Sequence, residues 1–244
     1  MGMHLRRRLA VLVAGALFAL GGSGTGAVAH APSAHTAPAD GTVASDCPKE
    51  DRAAPATMPL DRPPGDRDDF YRGIWQLGPD ELPRRGPIGE MLRGYDRTGG
   101  MSISAFMRCY WNSDAKNWWY PKAEGFLLDD DDRPIKGKVT LRRGQYVDLF
   151  GTGEGRFLAP AGTPYRLRAI PPGNLNTYDK DYPYSYRLYR VGKSFPVDAG
   201  PVAAWFGQPG GGLQYVVNAQ YFPPTPDRIN IPWLLKRGYL ERVN

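Results

Sequence analysis

The run Trp205-Phe206-Gly207-Gln208-Pro209-Gly210-Gly211-Gly212-Leu213-Gln214-Tyr215 constrains the fold more than any other stretch of the chain. Its three consecutive glycines have no Cβ, so a second backbone or a ligand can come close there. Trp, Phe and Tyr crowd the same short loop, and the apolar pair Val216-Val217 follows it. The pattern predicts strand, bend, strand. Gly/Pro clusters usually mark turns, so one reading is a plain hairpin with Gln208 and Gln214 facing solvent. The three aromatics favour the other reading, a bend built around a site.

The first 31 residues have the three parts of a secretory leader. Arg6, Arg7 and Arg8 form the charged region and Leu9 to Leu20 the apolar core; Ala29 and Ala31 end the two cleavage candidates. The core is too short to span a bilayer comfortably and has no basic flank after it. The product is therefore expected to be secreted, with no membrane span once the leader is removed. Residues 32–65 are rich in Ala, Pro, Asp and Thr and read as a flexible tail. From residue 66 onward Trp, Tyr, Phe and Gly become frequent, and about 180 residues remain, enough for one domain with a real core. The leader carries three of the 31 Lys+Arg, which leaves 28 basic residues against 25 acidic ones. With no basic stripe interleaved with aromatics, nucleic acid is not an expected partner.

The three histidines are His4, His30 and His35, so the folded domain has none. That excludes Ser-His-Asp and Cys-His nucleophile systems and every zinc site that needs imidazole. The two cysteines, Cys47 and Cys109, predict one disulfide in an exported protein. The loop-entropy model values it at about 4 kcal/mol.

Short elements follow one another along the domain. Ile88 to Tyr95 has helical spacing, and Ser102 caps a second predicted helix that ends at Tyr110. Trp111, Trp118 and Trp119 form either a core lid or a carbohydrate-stacking platform. Asp129 to Asp132 lacks the alternation of a calcium loop and reads as a solvated hairpin tip. Strands are expected around Val139–Leu141, Tyr146–Gly151, Glu154–Leu158, Tyr165–Pro172, Tyr184–Val191, Phe195–Val197 and Gln214–Phe222. A short helix is expected over Ile231–Leu240, with Pro232 near its start and Gly238 near its stop. The fold class is α+β, strand-rich, with short helices at both ends.

The residues that can share a pocket are Asp148, Phe150, Arg156, Arg166, Arg168, Trp205, Phe206, Gln208 and Gln214. Arginine forks suit phosphate, aromatic rings stack on a flat base, and neutral amides bind hydroxyls. A nucleotide fits that inventory better than a peptide or a polysaccharide. The alternative is that the arginines are surface charges on an edge strand.

Asp148-Leu149-Phe150-Gly151, Gly155-Arg156-Phe157-Leu158-Ala159-Pro160, Arg168-Ala169-Ile170-Pro171-Pro172, the glycine loop and Leu235…Gly238-Tyr239-Leu240 occur in this order. Together they resemble the catalytic domain of the tuberculosis necrotizing toxin family of NAD glycohydrolases. Upstream pieces such as Tyr95-Asp96-Arg97, Gly99-Gly100 and Tyr120-Pro121…Gly125-Phe126 look like the secreted fungal-type enzymes of that family. The resemblance covers about residues 70–242. It implies a compact split-sheet domain, distantly like ADP-ribosyltransferases, with residues 66–140 as an N-terminal helical and aromatic part and 141–244 as the catalytic part. It also implies cleavage of the nicotinamide–ribose bond of NAD or NADP, with Gln214 catalytic and Arg168 on the pyrophosphate. Phe150, Trp205 or Phe206 would stack on nicotinamide, and Asp148, Arg156 and Gln208 would complete the substrate site. NAD is then substrate, no cofactor or metal is needed, and a protein inhibitor is a possible partner. Leu149 and Arg187 depart from the family pattern, which has arginine and often histidine there. That keeps open a degenerate nucleotide-binding protein, beside a secreted wall-binding module.

Overall fold

The computed structural model describes residues 47–54 and 58–244; the expected leader and most of the tail lie outside the described residues. Two helices come first. α1 (Gly86–Met91) has Pro87 in its first turn, where the missing N–H costs nothing. α2 (Ile103–Tyr110) starts at Ser102, whose hydroxyl accepts from the Ala105 N–H at 3.2 Å. Phe106, Cys109 and Tyr110 form its buried side. Cys109 is anchored there by the disulfide to Cys47, as the cysteine pair predicts.

α2 runs into β1 (Trp111–Asn112), which pairs with β2 (Asn117–Trp118). Trp111 meets Trp75 and Trp118 edge-on, at interplanar angles of 88° and 79°. Trp118 is buried, and the Arg52 guanidinium covers the Trp119 ring at 4.9 Å. Rings so crossed offer no flat face to a sugar, so the stacking platform gives way to the core reading.

Seven strands form the main sheet: β3 (Gly137–Leu141), β4 (Tyr146–Phe150), β5 (Phe157–Pro160), β6 (Tyr186–Val191), β7 (Phe195–Pro201), β8 (Leu213–Val216) and β9 (Leu240–Arg242). Their order is β3-β7-β8-β5-β4-β6-β9, and each neighbouring pair is antiparallel. β5 meets β4 and β8 through only two residue pairs each. The split that the resemblance implies is thus a pinch in one continuous sheet. Period-2 alternation sends Val147, Leu149, Leu158, Tyr189, Val197 and Tyr215 into the largest apolar core. α4 (Ile231–Lys236) closes that core, with Asn230 accepting from the Trp233 N–H and Gly238 at φ 71° just past its end. Leu240, expected in this helix, begins β9 instead. Among the described residues no helix is long and apolar enough to cross a membrane.

Two other expectations need correction. Tyr165–Pro172 is not a strand: it opens with the one-turn helix α3 (Tyr165–Arg168), closed by Ala169 at φ 46°. Tyr165 and Arg168, three residues apart, are both buried, and the Tyr165 hydroxyl donates to the Pro171 carbonyl at 2.7 Å. The alternation of Arg with apolar residues suits one helical turn as well as a strand, and tertiary partners decide. The strand expected over Gln214–Phe222 stops at Val216 because the Asn218 side chain accepts from the Gln220 N–H and turns the chain.

Candidate active site

The glycine loop has two halves. In the first, Trp205 and Gln208 exchange backbone hydrogen bonds across Phe206 (φ 51°) and Gly207 (φ 66°), a tight turn with both central residues left-handed. The Trp205 indole N–H donates to the Trp119 carbonyl at 2.7 Å, and the Gln208 amide donates to the Asp96 carbonyl at 2.6 Å. Trp205, Phe206 and Gln208 are all buried. The close approach that the glycines permit is made by backbone: a Cβ on Gly210 would lie 2.6 Å from the Val202 and Ala203 carbonyls, and one on Gly212 equally near that of Leu167.

In the second half the chain emerges as β8. Gln214 is half-buried, and its Nε2 donates to the Glu124 carbonyl at 3.1 Å. The Glu124 carboxylate pairs with Arg156 and, at 3.3 Å, with Lys136. On the same sheet face, Asp198 of β7 and Phe157 of β5 both stand opposite Val216. Phe157 is therefore a diagonal neighbour of Gln214, and at 44% exposure its ring is open to solvent. Asp198 accepts from the Tyr221 hydroxyl at 2.6 Å, from Asn218 at 3.2 Å and from Lys136 at 3.2 Å. Burial alone would raise the Asp198 carboxyl, but these three donors outweigh it and hold it below the usual carboxylate value. Burial also opposes the Lys136 charge, and its two carboxylate partners still raise the ammonium above its ordinary value.

Asp148 and Phe150 of β4 share the sheet face of Gln214 but lie deeper, with Asp148 paired to Ala159 of β5 and holding Arg168. Asp148 Oδ1 pairs with Arg168 Nη1 at 2.7 Å, and Asp148 Oδ2 accepts from the Gly162 N–H and the Tyr186 hydroxyl. Burial first, then the Asp148 charge, pushes the Tyr186 hydroxyl well above its ordinary value. Arg168 also donates to the Thr163 carbonyl at 2.9 Å and covers the Phe150 ring at 5.2 Å. The Phe150 ring is boxed in by Tyr165 and Tyr186. Arg166 is half-buried beside Gly94. The structure thus brings Gln214 and Arg156 together through Glu124, buries Asp148, Phe150, Arg168, Trp205, Phe206 and Gln208, and leaves Arg166 half-buried. Sequence reasoning missed Glu124, Lys136, Phe157 and Asp198. Phe157 was within reach, since Leu158 facing inward turns it outward; a lone acid in the apolar run Phe195–Pro201 was a signal for Asp198.

Among the described residues, no group of three or more His, Cys, Asp or Glu side chains is placed to hold a metal ion. The arrangement offers an amide with a free Oε1, two cations and an open ring.

Residues 140–243 match the family model described as Tuberculosis necrotizing toxin. The conidial surface nicotinamide adenine dinucleotide glycohydrolase nadA of Aspergillus fumigatus is 41% identical over 179 residues, 72% of this chain and 72% of that protein. The chain belongs to this family of NAD glycohydrolases. Among solved structures, that of tuberculosis necrotizing toxin complexed with its immunity factor IFT aligns over 76% of this chain and 100% of its own, at 15% identity and a TM-score of 0.47. Rhs1-CT in complex with its cognate immunity protein RhsI1 aligns over 51% of this chain and 84% of its own, at 15% identity and a TM-score of 0.30.

Within the glycohydrolase family pattern, the two departures are neighbours. Leu149 of β4 stands directly across the ladder from Arg187 of β6. Leu149 is buried in the apolar core. The Arg187 guanidinium lies 3.7 Å from the centre of the Tyr182 ring, and its Nε donates to the Gly151 carbonyl at 3.3 Å. A guanidinium is therefore present at this rung, on the opposite strand.

Proposed function

We propose that this chain is a secreted NAD(P)+ glycohydrolase that splits the nicotinamide–ribose bond to give nicotinamide and ADP-ribose, and so depletes NAD. The observation that carries the reading is the 41% identity to a conidial surface NAD glycohydrolase across 72% of both chains. Residues 1–31 serve as the cleaved leader, 32–65 as the tail and 66–244 as the enzyme domain, with 66–140 its N-terminal part and 141–244 its catalytic part.

The chemistry suits a site without histidine. Nicotinamide in NAD is a cationic pyridinium. When the C1′–N bond breaks, its electron pair neutralises that ring, so the leaving group needs no proton. The ribosyl centre becomes oxocarbenium-like, water adds to C1′, and the water's proton is released. Catalysis is then mainly positioning and electrostatics. We assign the acceptor for the ribose hydroxyl or the attacking water to Gln214 Oε1. Arg156, half-buried, grips the diphosphate, and the open Phe157 ring stacks on a base. Arg168, Asp148 and Phe150 support this site from the interior, and Trp205, Phe206 and Gln208 hold the loop that presents Gln214.

The test is nicotinamide release from NAD by the secreted mature protein beside Gln214→Ala. Release that falls by a factor of about 100 or more in the variant supports the reading. Intact NAD after overnight incubation with micromolar wild-type protein ends it.

A further inference from the structure

The main chain beside Gln214 is unusual. Ala123, Glu124 and Gly125 follow one another at φ 51°, 59° and 77°. Left-handed backbone is costly for a residue with a Cβ and is ordinarily visited by single residues. Such outliers persist only where the surroundings hold them, and they gather at working sites.

We propose that this turn sets the orientation of the Gln214 side chain and that Glu124 is the positioning residue that holds the turn in place. The proposal rests on reading Gln214 as the catalytic amide. An amide has two ends of similar shape and opposite hydrogen-bonding character. Because Gln214 Nε2 donates to the Glu124 carbonyl at 3.1 Å, Oε1 is the end left to meet a ribose hydroxyl or water. Without that acceptor the amide is free to turn its N–H groups to the substrate, which inverts the contact.

The Glu124 side chain holds the carbonyl in place. It bridges Arg156, just before β5, and Lys136, just before β3. The pairs are part-exposed, with the Glu124 side chain at 30%, and such pairs contribute little to global stability. They pull the side chain toward two elements at once, which keeps the backbone at its positive φ. The turn's flanks are fixed as well. The Lys122 N–H donates to the Asp51 carbonyl at 2.6 Å, and the Gly125 carbonyl accepts from the Ala203 N–H at 2.9 Å. A turn held at both ends and clamped in the middle, with its carbonyl on the catalytic amide, is a built support.

Two measurements test this on the mature protein. The first reads the Gln214 side-chain amide protons by NMR, assigned by their loss in Gln214→Ala. In the wild type one of the two protons is expected well downfield of its free position and slow to exchange. In Glu124→Ala both are expected at averaged positions; unchanged Gln214 signals in Glu124→Ala overturn the proposal. The second is a double-mutant cycle on nicotinamide release. Glu124→Ala is expected to lower kcat by about 10- to 100-fold in the wild-type background and by less than about threefold in the Gln214→Ala background, because it acts through that amide. Equal losses in both backgrounds, or no loss in either, overturn the proposal. If Glu124→Ala does not fold, Glu124→Gln goes through the same two measurements with the same outcomes deciding. A wild type that releases no nicotinamide yet shows the NMR change refutes the glycohydrolase reading and leaves the positioning role standing.

Discussion

Two arginine–carboxylate pairs frame this molecule, and they share little beyond residue type. In the Arg168–Asp148 pair the side chains are 6% and 0% exposed, and the ions lie 2.7 Å apart within a network of backbone and hydroxyl partners. In the Arg156–Glu124 pair they are 38% and 30% exposed, and Glu124 shares its charge with a second cation. A buried pair cannot release one partner without stranding a charge in the interior. A part-exposed pair leaves guanidinium N–H groups at the surface, so its arginine can take an anionic ligand while it stays on the carboxylate. The sequence motif points to Arg168 as the phosphate ligand, and the fold leaves Arg156 the more exposed of the two arginines.

The largest effect that would test the contrast is on stability. Asp148→Ala leaves the Arg168 guanidinium uncompensated and is expected to cost about 3–5 kcal/mol. For a domain of this size that lowers the thermal midpoint by roughly 6–20 °C. A midpoint lowered by less than about 3 °C would mean that Arg168 has other places to go, and the distinction between the two pairs would fail. Next comes Arg156→Ala, expected to raise the KM for NAD by about tenfold, the value of one charge-assisted contact. Its thermal midpoint should stay within about 2 °C of the wild type. A lowered midpoint with unchanged KM would make Arg156 a second structural arginine. Smaller again is Phe157→Ala, expected to lower kcat/KM by about fivefold through one lost stacking contact with little change in midpoint. Phe150→Ala should do the reverse, since its ring is buried between Tyr165 and Tyr186.

The sequence made most of the fold legible because strand alternation and caps are local. Ser102, Pro232 and Gly238 stand where the helix rules place them, and β6 alternates in burial as its sequence does. α3 was not legible, since Tyr165-Arg166-Leu167-Arg168 satisfies both periods until Asp148 supplies a buried partner. The site was legible at Gln214, where the glycine loop and the family resemblance agree on one residue. It was not legible at Glu124, which faces Gln214 from 90 residues away in sequence. Nor could spacing decide that Trp205 and Phe206 point inward. An aromatic beside glycine reads the same whether it stacks on a ligand or on Tyr110, and only the packing of α2 against the loop settles it.

The smallest expected effect probes the case between the two pairs. Asp198 is a carboxylate with 8% side-chain exposure, and its cation, Lys136, is 29% exposed. Burial raises this carboxyl, yet the donors from Tyr221, Asn218 and Lys136 leave it below its ordinary value. A carboxyl depressed in the folded state contributes stability that is present above its unfolded value, about 3.9. That contribution is lost as pH falls through the lower folded value. Lys136, raised in the folded state, works from the other side: its contribution is present below its unfolded value, about 10.4, and is lost as pH climbs through the higher folded value. Thermal midpoints of wild type and Asp198→Asn at pH 7, 4 and 2.5 separate these effects. The variant should lie a few degrees below the wild type at pH 7, and the gap should close between pH 4 and 2.5. A gap that persists at pH 2.5 would show that Asp198 acts through its shape and neutral hydrogen bonds. It would then belong with the packed interior, and Lys136 would keep Glu124 as its ionic partner.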